Sequence, residues 1–149
     1  MPIKKYTLNR LFFRLFSNLI SKTFFISSSL RGKLFRKLGV DIKENVFIGQ
    51  NVYFDELAFN RIHIDKNCII TRGGVFLTHF IDSKTRNFIL GDVYIGENSF
   101  IGMNTIITKP VTIGKNCIIG AGSIVTKDIP DNCVAAGNPC KILKTLGAK

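Results

Sequence analysis

From Ile95 to Val125 an aliphatic residue occupies every sixth position: Ile95, Ile101, Ile107, Ile113, Ile119 and Val125. Glycine follows at Gly96, Gly102, Gly114 and Gly120. A small or β-branched residue stands four places after each aliphatic, at Ser99, Thr105, Val111, Cys117 and Ser123. An amphipathic helix repeats near 3.6 residues and a half-buried strand every second residue, and a period of six matches neither. It is the spacing of a parallel β-helix, in which each flat side of a triangular coil buries one aliphatic and a glycine admits the corner.

The register extends upstream less cleanly. Val46-Phe47-Ile48-Gly49 begins it, with Val52 at the small position and Phe54 at the next aliphatic one. It slips at Asn60-Arg61-Ile62-His63, resumes at Ile64 through Ile70, breaks from Phe76 to Tyr94, and restarts in phase at Ile95. Downstream it fades near Gly137-Asn138-Pro139. With three hexads to a coil the pattern predicts about four to five coils, above the minimum of three repeats that bury a continuous core. The expected fold is therefore all-β, a β-helix over residues 41–149 with one loop insertion at about 76–94.

Residues 1–40 read differently. Leu8, Leu11, Phe12, Leu15, Phe16, Leu19 and Ile20 follow helical spacing, with Arg10, Arg14, Asn18 and Ser21 on the other side. A second short helix over Leu30 to Leu38 is expected to stop at Gly39. Arg10, Arg14 and Lys22 interrupt the apolar stretch, which argues against a transmembrane span, and no secretory cleavage pattern is present. Two roles stay open for this α-helical arm: closing the exposed end of the β-helix, or lying on an anionic membrane surface.

The net charge of +11 sits in that arm: residues 1–40 hold nine Lys/Arg and no Asp or Glu, and the remainder holds twelve against ten. No recognition motif accompanies the charge, so no nucleic-acid partner is expected. The four cysteines show no metal-type spacing. Cys68 and Cys117 fall at the small position that points into the coil, as core residues of a reducing, cytoplasmic compartment.

Ile113-Gly-Lys-Asn-Cys-Ile-Ile-Gly-Ala-Gly-Ser-Ile-Val-Thr-Lys-Asp-Ile-Pro130, followed by Ala135-Ala-Gly-Asn-Pro-Cys-Lys141, resembles the hexapeptide-repeat acetyltransferases. The nearest likeness is to the sugar O-acetyltransferases of the galactoside and maltose type and those acting on bacterial polysaccharides. The resemblance implies a left-handed coil, a homotrimer, and acetyl-CoA lying in the groove between neighbouring subunits. It also implies a catalytic histidine just ahead of a projecting loop, a position held here by His79 in Phe76-Leu-Thr-His-Phe-Ile-Asp82.

Acetyl transfer from a thioester to a hydroxyl needs a base for the hydroxyl proton and donors for the oxyanion. Imidazole suits the first task. Of the two histidines, His79 is taken as the base and His63, in the register slip, as structural or exposed. Asp82 is a candidate to orient His79, although a backbone carbonyl would serve as well. Acetyl-CoA contacts carried over by the resemblance fall on Met103, where relatives often have serine, on Ala121, on Thr126 and Lys127, and on Lys141 and Lys144, where relatives commonly have arginine.

The expected activity is acetyl-CoA-dependent O-acetylation of a saccharide hydroxyl by direct transfer, without a metal. The acceptor is expected to be a surface-polysaccharide precursor, met in the cytoplasm or at the inner face of the membrane. Other acceptors (an antibiotic hydroxyl, serine, an amino sugar) and a non-enzymatic trimeric scaffold remain alternatives. A zinc enzyme of the same fold would need three histidines per metal.

Overall fold

The computed structural model describes residues 8–147. Two helices, α1 (Leu8–Lys22) and α2 (Ser28–Lys37), precede a coil of short strands. Four triads of strands stack along the coil. They are β1 (Asp41–Ile42), β2 (Phe47–Ile48) and β3 (Tyr53–Phe54), then β4 (Ile62–Ile64), β5 (Ile69–Ile70) and β6 (Val75–Phe76). A hairpin, β7 (His79–Ile81) and β8 (Phe88–Leu90), intervenes before β9 (Val93–Ile95), β10 (Phe100–Ile101) and β11 (Ile106–Ile107). The last triad is β12 (Thr112–Ile113), β13 (Ile118–Ile119) and β14 (Ile124–Val125). Ile129, bridged to Ile113, and β15 (Cys133–Ala136) continue the winding, and β16 (Lys141–Thr145) folds back antiparallel on β15.

Strands of successive triads pair in parallel, in the orders β1-β4-β9-β12, β2-β5-β10-β13-β15 and β3-β6-β11-β14. These are the three faces of a prism. The hexad aliphatics fill its interior: Ile95, Ile101, Ile107, Ile113, Ile119 and Val125 are all buried, as are the small residues Ser99, Thr105, Val111, Cys117 and Ser123. The buried hydroxyls are satisfied within the coil: Ser99 Oγ donates to Gly114 O at 2.8 Å and Thr105 Oγ1 to Gly102 O at 2.8 Å. Glycine after the aliphatic reflects contact between coils, since a Cβ on Gly96 would lie 2.6 Å from the Gly114 carbonyl carbon.

Two of the three edges turn through left-handed residues. Asn45, Asn67, Asn98, Asn116 and Asn132 form one column at φ between 53° and 60°. Asparagine tolerates this conformation better than other non-glycine residues. Their amides also bond along the stack, Asn67 to Asn98 at 3.1 Å, Asn98 to Asn116 at 3.3 Å and Asn116 to Asn132 at 2.9 Å. The third edge is irregular. It carries a 3-10 turn at Phe59–Arg61 in the first coil and the β7–β8 hairpin in the second. The functional candidates gather at this edge.

The helices close the first coil, whose carbonyls have no further strand to accept from. Arg36 donates to Ile42 O and Lys43 O on the first face, Arg31 Nη1 to Ile48 O at 2.8 Å on the second, and Ser21 Oγ to Val52 O at 2.8 Å beside the third. Arg31 is buried and spends its other donors on Ile20 O, Thr23 O and Ile26 O, with no carboxylate partner among the described residues. Burial pulls its pKa below the ordinary guanidinium value. α2 starts at the N-cap Ser27, whose hydroxyl accepts from Leu30 N, and is followed by Gly39 at φ 105°. Phe13 stacks on Phe59 with ring centres 3.9 Å apart. The face of α1 that packs inward is thus Phe13, Ile20 and Ser21, and the wide apolar stripe points away from the coil.

Candidate active site

β3 and β6 are paired neighbours on the third face, with Phe54 opposite Phe76. The residues that follow them leave the face at the irregular edge, one coil apart. Asp55 follows Phe54; Thr78 and His79 lie just beyond Phe76, where the hairpin begins. The Asp55 carboxylate is buried and takes four hydrogen bonds. Oδ1 accepts from Leu57 N at 3.0 Å. Oδ2 accepts from Thr78 N at 2.9 Å, from Thr78 Oγ1 at 2.7 Å and from His79 Nδ1 at 2.5 Å. Burial pushes the Asp55 carboxyl up, but the donors from Thr78, Leu57 and His79 outweigh it and hold the pKa below the ordinary carboxylate value. The group is therefore ionised near neutrality, and an ionised Oδ2 fixes the imidazole with its proton on Nδ1.

Among the described residues, His79 Nε2 makes no hydrogen bond, and the ring, about a quarter exposed, lies against Phe88 with centres 5.2 Å apart. Lys109 sits 5.5 Å over the Phe80 ring and ties the hairpin to the next coil. The arrangement is an imidazole oriented through Nδ1, with Nε2 left without a hydrogen bond among the described residues.

Asp82 is elsewhere. Its Oδ1 accepts from Lys84 N at 2.9 Å, Thr85 N at 2.7 Å and Thr85 Oγ1 at 3.0 Å, which closes the tip of the hairpin. The backbone N–H of Thr85, the Thr85 hydroxyl and the N–H of Lys84 hold its carboxyl below the usual value. The carboxylate on His79 is thus Asp55, not Asp82. The antiparallel pairing of β7 with β8 carries Ile81, and Asp82 after it, away from the coil to which His79 is anchored.

His63 is clamped between two carboxylates, Nδ1 to Asp41 at 3.0 Å and Nε2 to Asp92 at 3.1 Å, and stacks on Tyr94 at 4.4 Å. With both nitrogens engaged by carboxylates it has no free nitrogen for a substrate. It lines an open groove of about 350 Å³ on the first face, with Tyr94, Asp65 and Asp131, and that groove does not include His79.

The positions assigned to acetyl-CoA divide between places on the prism. Met103 and Ala121 share the edge between the second and third faces, joined through Gly122 N to Met103 O at 2.7 Å. Thr126 and Lys127 follow β14 at the irregular edge that also carries His79, two coils further along. Lys141 and Lys144 lie exposed on β16, opposite Ala136 and Val134. Within one chain the third face separates His79 from the Met103–Ala121 edge. Sequence reading missed Asp55. Its signal was positional: a carboxylate directly after Phe54, in register with the residues directly before His79.

Comparison with known proteins agrees with this architecture. The family model described as Bacterial transferase hexapeptide (six repeats) matches residues 92–127. Protein CapG of Staphylococcus aureus is 41% identical over 122 residues, covering 76% of this chain and 70% of that protein. A crystal structure of a maltose O-acetyltransferase from Clostridium difficile 630 superposes with a TM-score of 0.70 at 30% identity, covering 94% of this chain and 87% of that one. A galactoside acetyltransferase in complex with coenzyme A gives 0.68 at 27% identity, covering 93% and 81%. The chain belongs to the hexapeptide-repeat acetyltransferase family, and it is an acyltransferase.

Proposed function

We propose that the protein is an acetyl-CoA-dependent O-acetyltransferase that acts on a saccharide hydroxyl, with His79 as the general base. The observation that carries this reading is the buried Asp55 carboxylate bonded to His79 Nδ1, which leaves Nε2 without a hydrogen-bond partner among the described residues. As the acceptor oxygen attacks the thioester carbonyl carbon, Nε2 takes the hydroxyl proton and the imidazolium formed is balanced by Asp55. Collapse of the tetrahedral oxyanion breaks the carbon–sulfur bond, and His79 returns the proton to the departing CoA thiolate. The products are an acetyl ester and CoA, and the enzyme is unchanged.

The chain offers fitting groups for the co-substrate. Ala121 and Gly122 put no large side chain at one edge, where a pantetheine arm would run along the backbone, and a Cβ at Gly122 would meet only open space. Lys127, Lys141 and Lys144 are exposed and free to meet phosphates. Because the Met103–Ala121 edge and His79 lie on different edges of one prism, we assign the working unit to a trimer of left-handed coils in which one subunit's His79 faces the neighbour's Met103–Ala121 edge. The maltose and galactoside enzymes support a saccharide acceptor, and we place the reaction in the cytoplasm on a polysaccharide precursor.

The test is release of free CoA thiol from acetyl-CoA against a panel of sugars, nucleotide sugars and oligosaccharides. At least one saccharide should support turnover. His79→Ala should lower it by roughly a hundredfold or more while CoA binding, followed by calorimetry, persists. Turnover that survives His79→Ala would overturn the assignment.

A further inference from the structure

We propose that the outer face of α1 and the turn after it form a docking surface for an anionic lipid bilayer. Leu8, Leu11, Phe12, Leu15, Phe16 and Leu19 run along one side of the helix and are all exposed, Leu15 at 62%. Phe24 and Phe25 extend the patch beyond the helix, Phe25 at 94% exposure, and the Phe12 and Phe16 rings lie together at 4.2 Å. The opposite side of α1, with Phe13, Ile20 and Ser21, is already spent on closing the coil. An apolar stripe this wide normally turns inward; here the inward role is filled by another face and the stripe stays unpartnered.

Charge selects the occupant. Residues 1–40 contain nine Lys/Arg and no acidic residue. Lys22, Lys33 and Lys37 are exposed on the arm, and Arg14, beside the stripe, is exposed and reaches Glu56 of the coil at 3.4 Å. A second copy of the same arm would bring like charges together around the apolar contact. An anionic bilayer takes the leucine and phenylalanine side chains between its headgroups and the cations on its phosphates. α1 has fifteen residues and no helix among those described is long and apolar enough to cross a membrane, so the arm lies in the surface plane. A cyclic trimer about an axis along the coil stack would present three such arms at the same end.

Sedimentation of the full chain with vesicles tests this. The protein should pellet with phosphatidylcholine vesicles containing about 30 mol% phosphatidylglycerol, much less with phosphatidylcholine alone, and less at about 0.5 M salt. Leu15→Asp with Leu19→Asp should cut the bound fraction at least about tenfold while CoA release with a water-soluble acceptor stays unchanged. Wild-type protein that remains in the supernatant, or a double variant that binds as well as wild type, overturns the proposal. So does light scattering in which the double variant loses subunits while wild type ignores vesicles, because the stripe would then be a contact between copies. The acetyltransferase reading is scored separately, by CoA release without vesicles.

Discussion

Asp55→Asn is the substitution that separates the site seen in the structure from the one expected from the chain alone. The amide is nearly isosteric with the carboxylate. Placed with its oxygen at the Oδ2 position, it can still accept from Thr78 N, Thr78 Oγ1 and His79 Nδ1, but its NH₂ then faces Leu57 N–H and that bond is lost. That bond ran to a charged carboxylate, so its loss costs about 1.5–3 kcal/mol of stability, and the variant should still fold. What disappears is the negative charge that balances the imidazolium in the transition state. A hydrogen bond to a charged group is worth about 1.5–3 kcal/mol, which corresponds to a fall in kcat of about tenfold to about 150-fold. CoA release at about 25 °C, well below melting, should show that loss with KM for acetyl-CoA held within about twofold, because the Asp55 carboxylate bonds only Leu57, Thr78 and the imidazole among the described residues. The downfield proton resonance of His79 Nδ1–H should shift or vanish. Asp82→Asn, at the hairpin tip, should keep kcat within about twofold. A kcat for Asp55→Asn within about threefold of wild type, or an Asp82→Asn loss as large, would refute the reasoning.

Other outcomes follow from the same geometry. The donors on Asp55 lower its pKa, so its stabilising contribution is complete above the unfolded carboxylate value near about 3.9 and is lost as pH falls through the lower folded value; the melting gap between wild type and Asp55→Asn should close in acid. Arg31→Met strands four carbonyls that the guanidinium now serves, and should cost about 3–5 kcal/mol, a fall in Tm on the order of 10 °C by thermal denaturation. Lys141→Ala with Lys144→Ala should raise KM for acetyl-CoA about 5–20-fold with kcat nearly unchanged, an effect that shrinks at high salt. Burial pushes the Cys68 thiol up to about 11, and Cys117 is equally enclosed, so iodoacetamide on the native protein at about pH 8 should spare both while half-buried Cys140 reacts, as read by intact-mass and peptide mapping.

The prism was legible because its interior repeats. One buried aliphatic per side, one small residue pointing inward and, at most sides, one glycine under the next coil leave a period that no other element mimics, and from Ile95 to Val125 the aliphatic position is filled without a gap. The asparagine column was equally present in the chain, at Asn67, Asn98, Asn116 and Asn132, but its meaning depends on φ, which spacing alone does not reveal. The arm was legible as helical and illegible in its orientation. Hydrophobic periodicity marks the widest apolar stripe as the buried face, whereas here the coil needs hydroxyl and guanidinium donors at its open carbonyls more than it needs leucines. That demand turns Ser21 and Ile20 inward and leaves Leu15 and Leu19 in solvent.

The site was harder because it lies where the repeat fails. In the regular coils a strand residue pairs with one eighteen positions on, as Ile101 does with Ile119. Phe54 instead pairs with Phe76, twenty-two positions on, so the slip at Asn60–His63 and the break after Phe76 are not separate irregularities. They fall at one edge of the prism in successive coils. A break in a single coil only makes a loop; two in register stack a buried carboxylate under the residue that opens the hairpin. Asp82 looked better placed because it lies closer to His79 in sequence, yet a projecting hairpin moves its tip away from its base. The residue that orients a base here has to come from the neighbouring coil, because that coil stays packed whatever the loop does. Aligning the breaks by coil, and not by distance along the chain, would have singled out Asp55 from sequence.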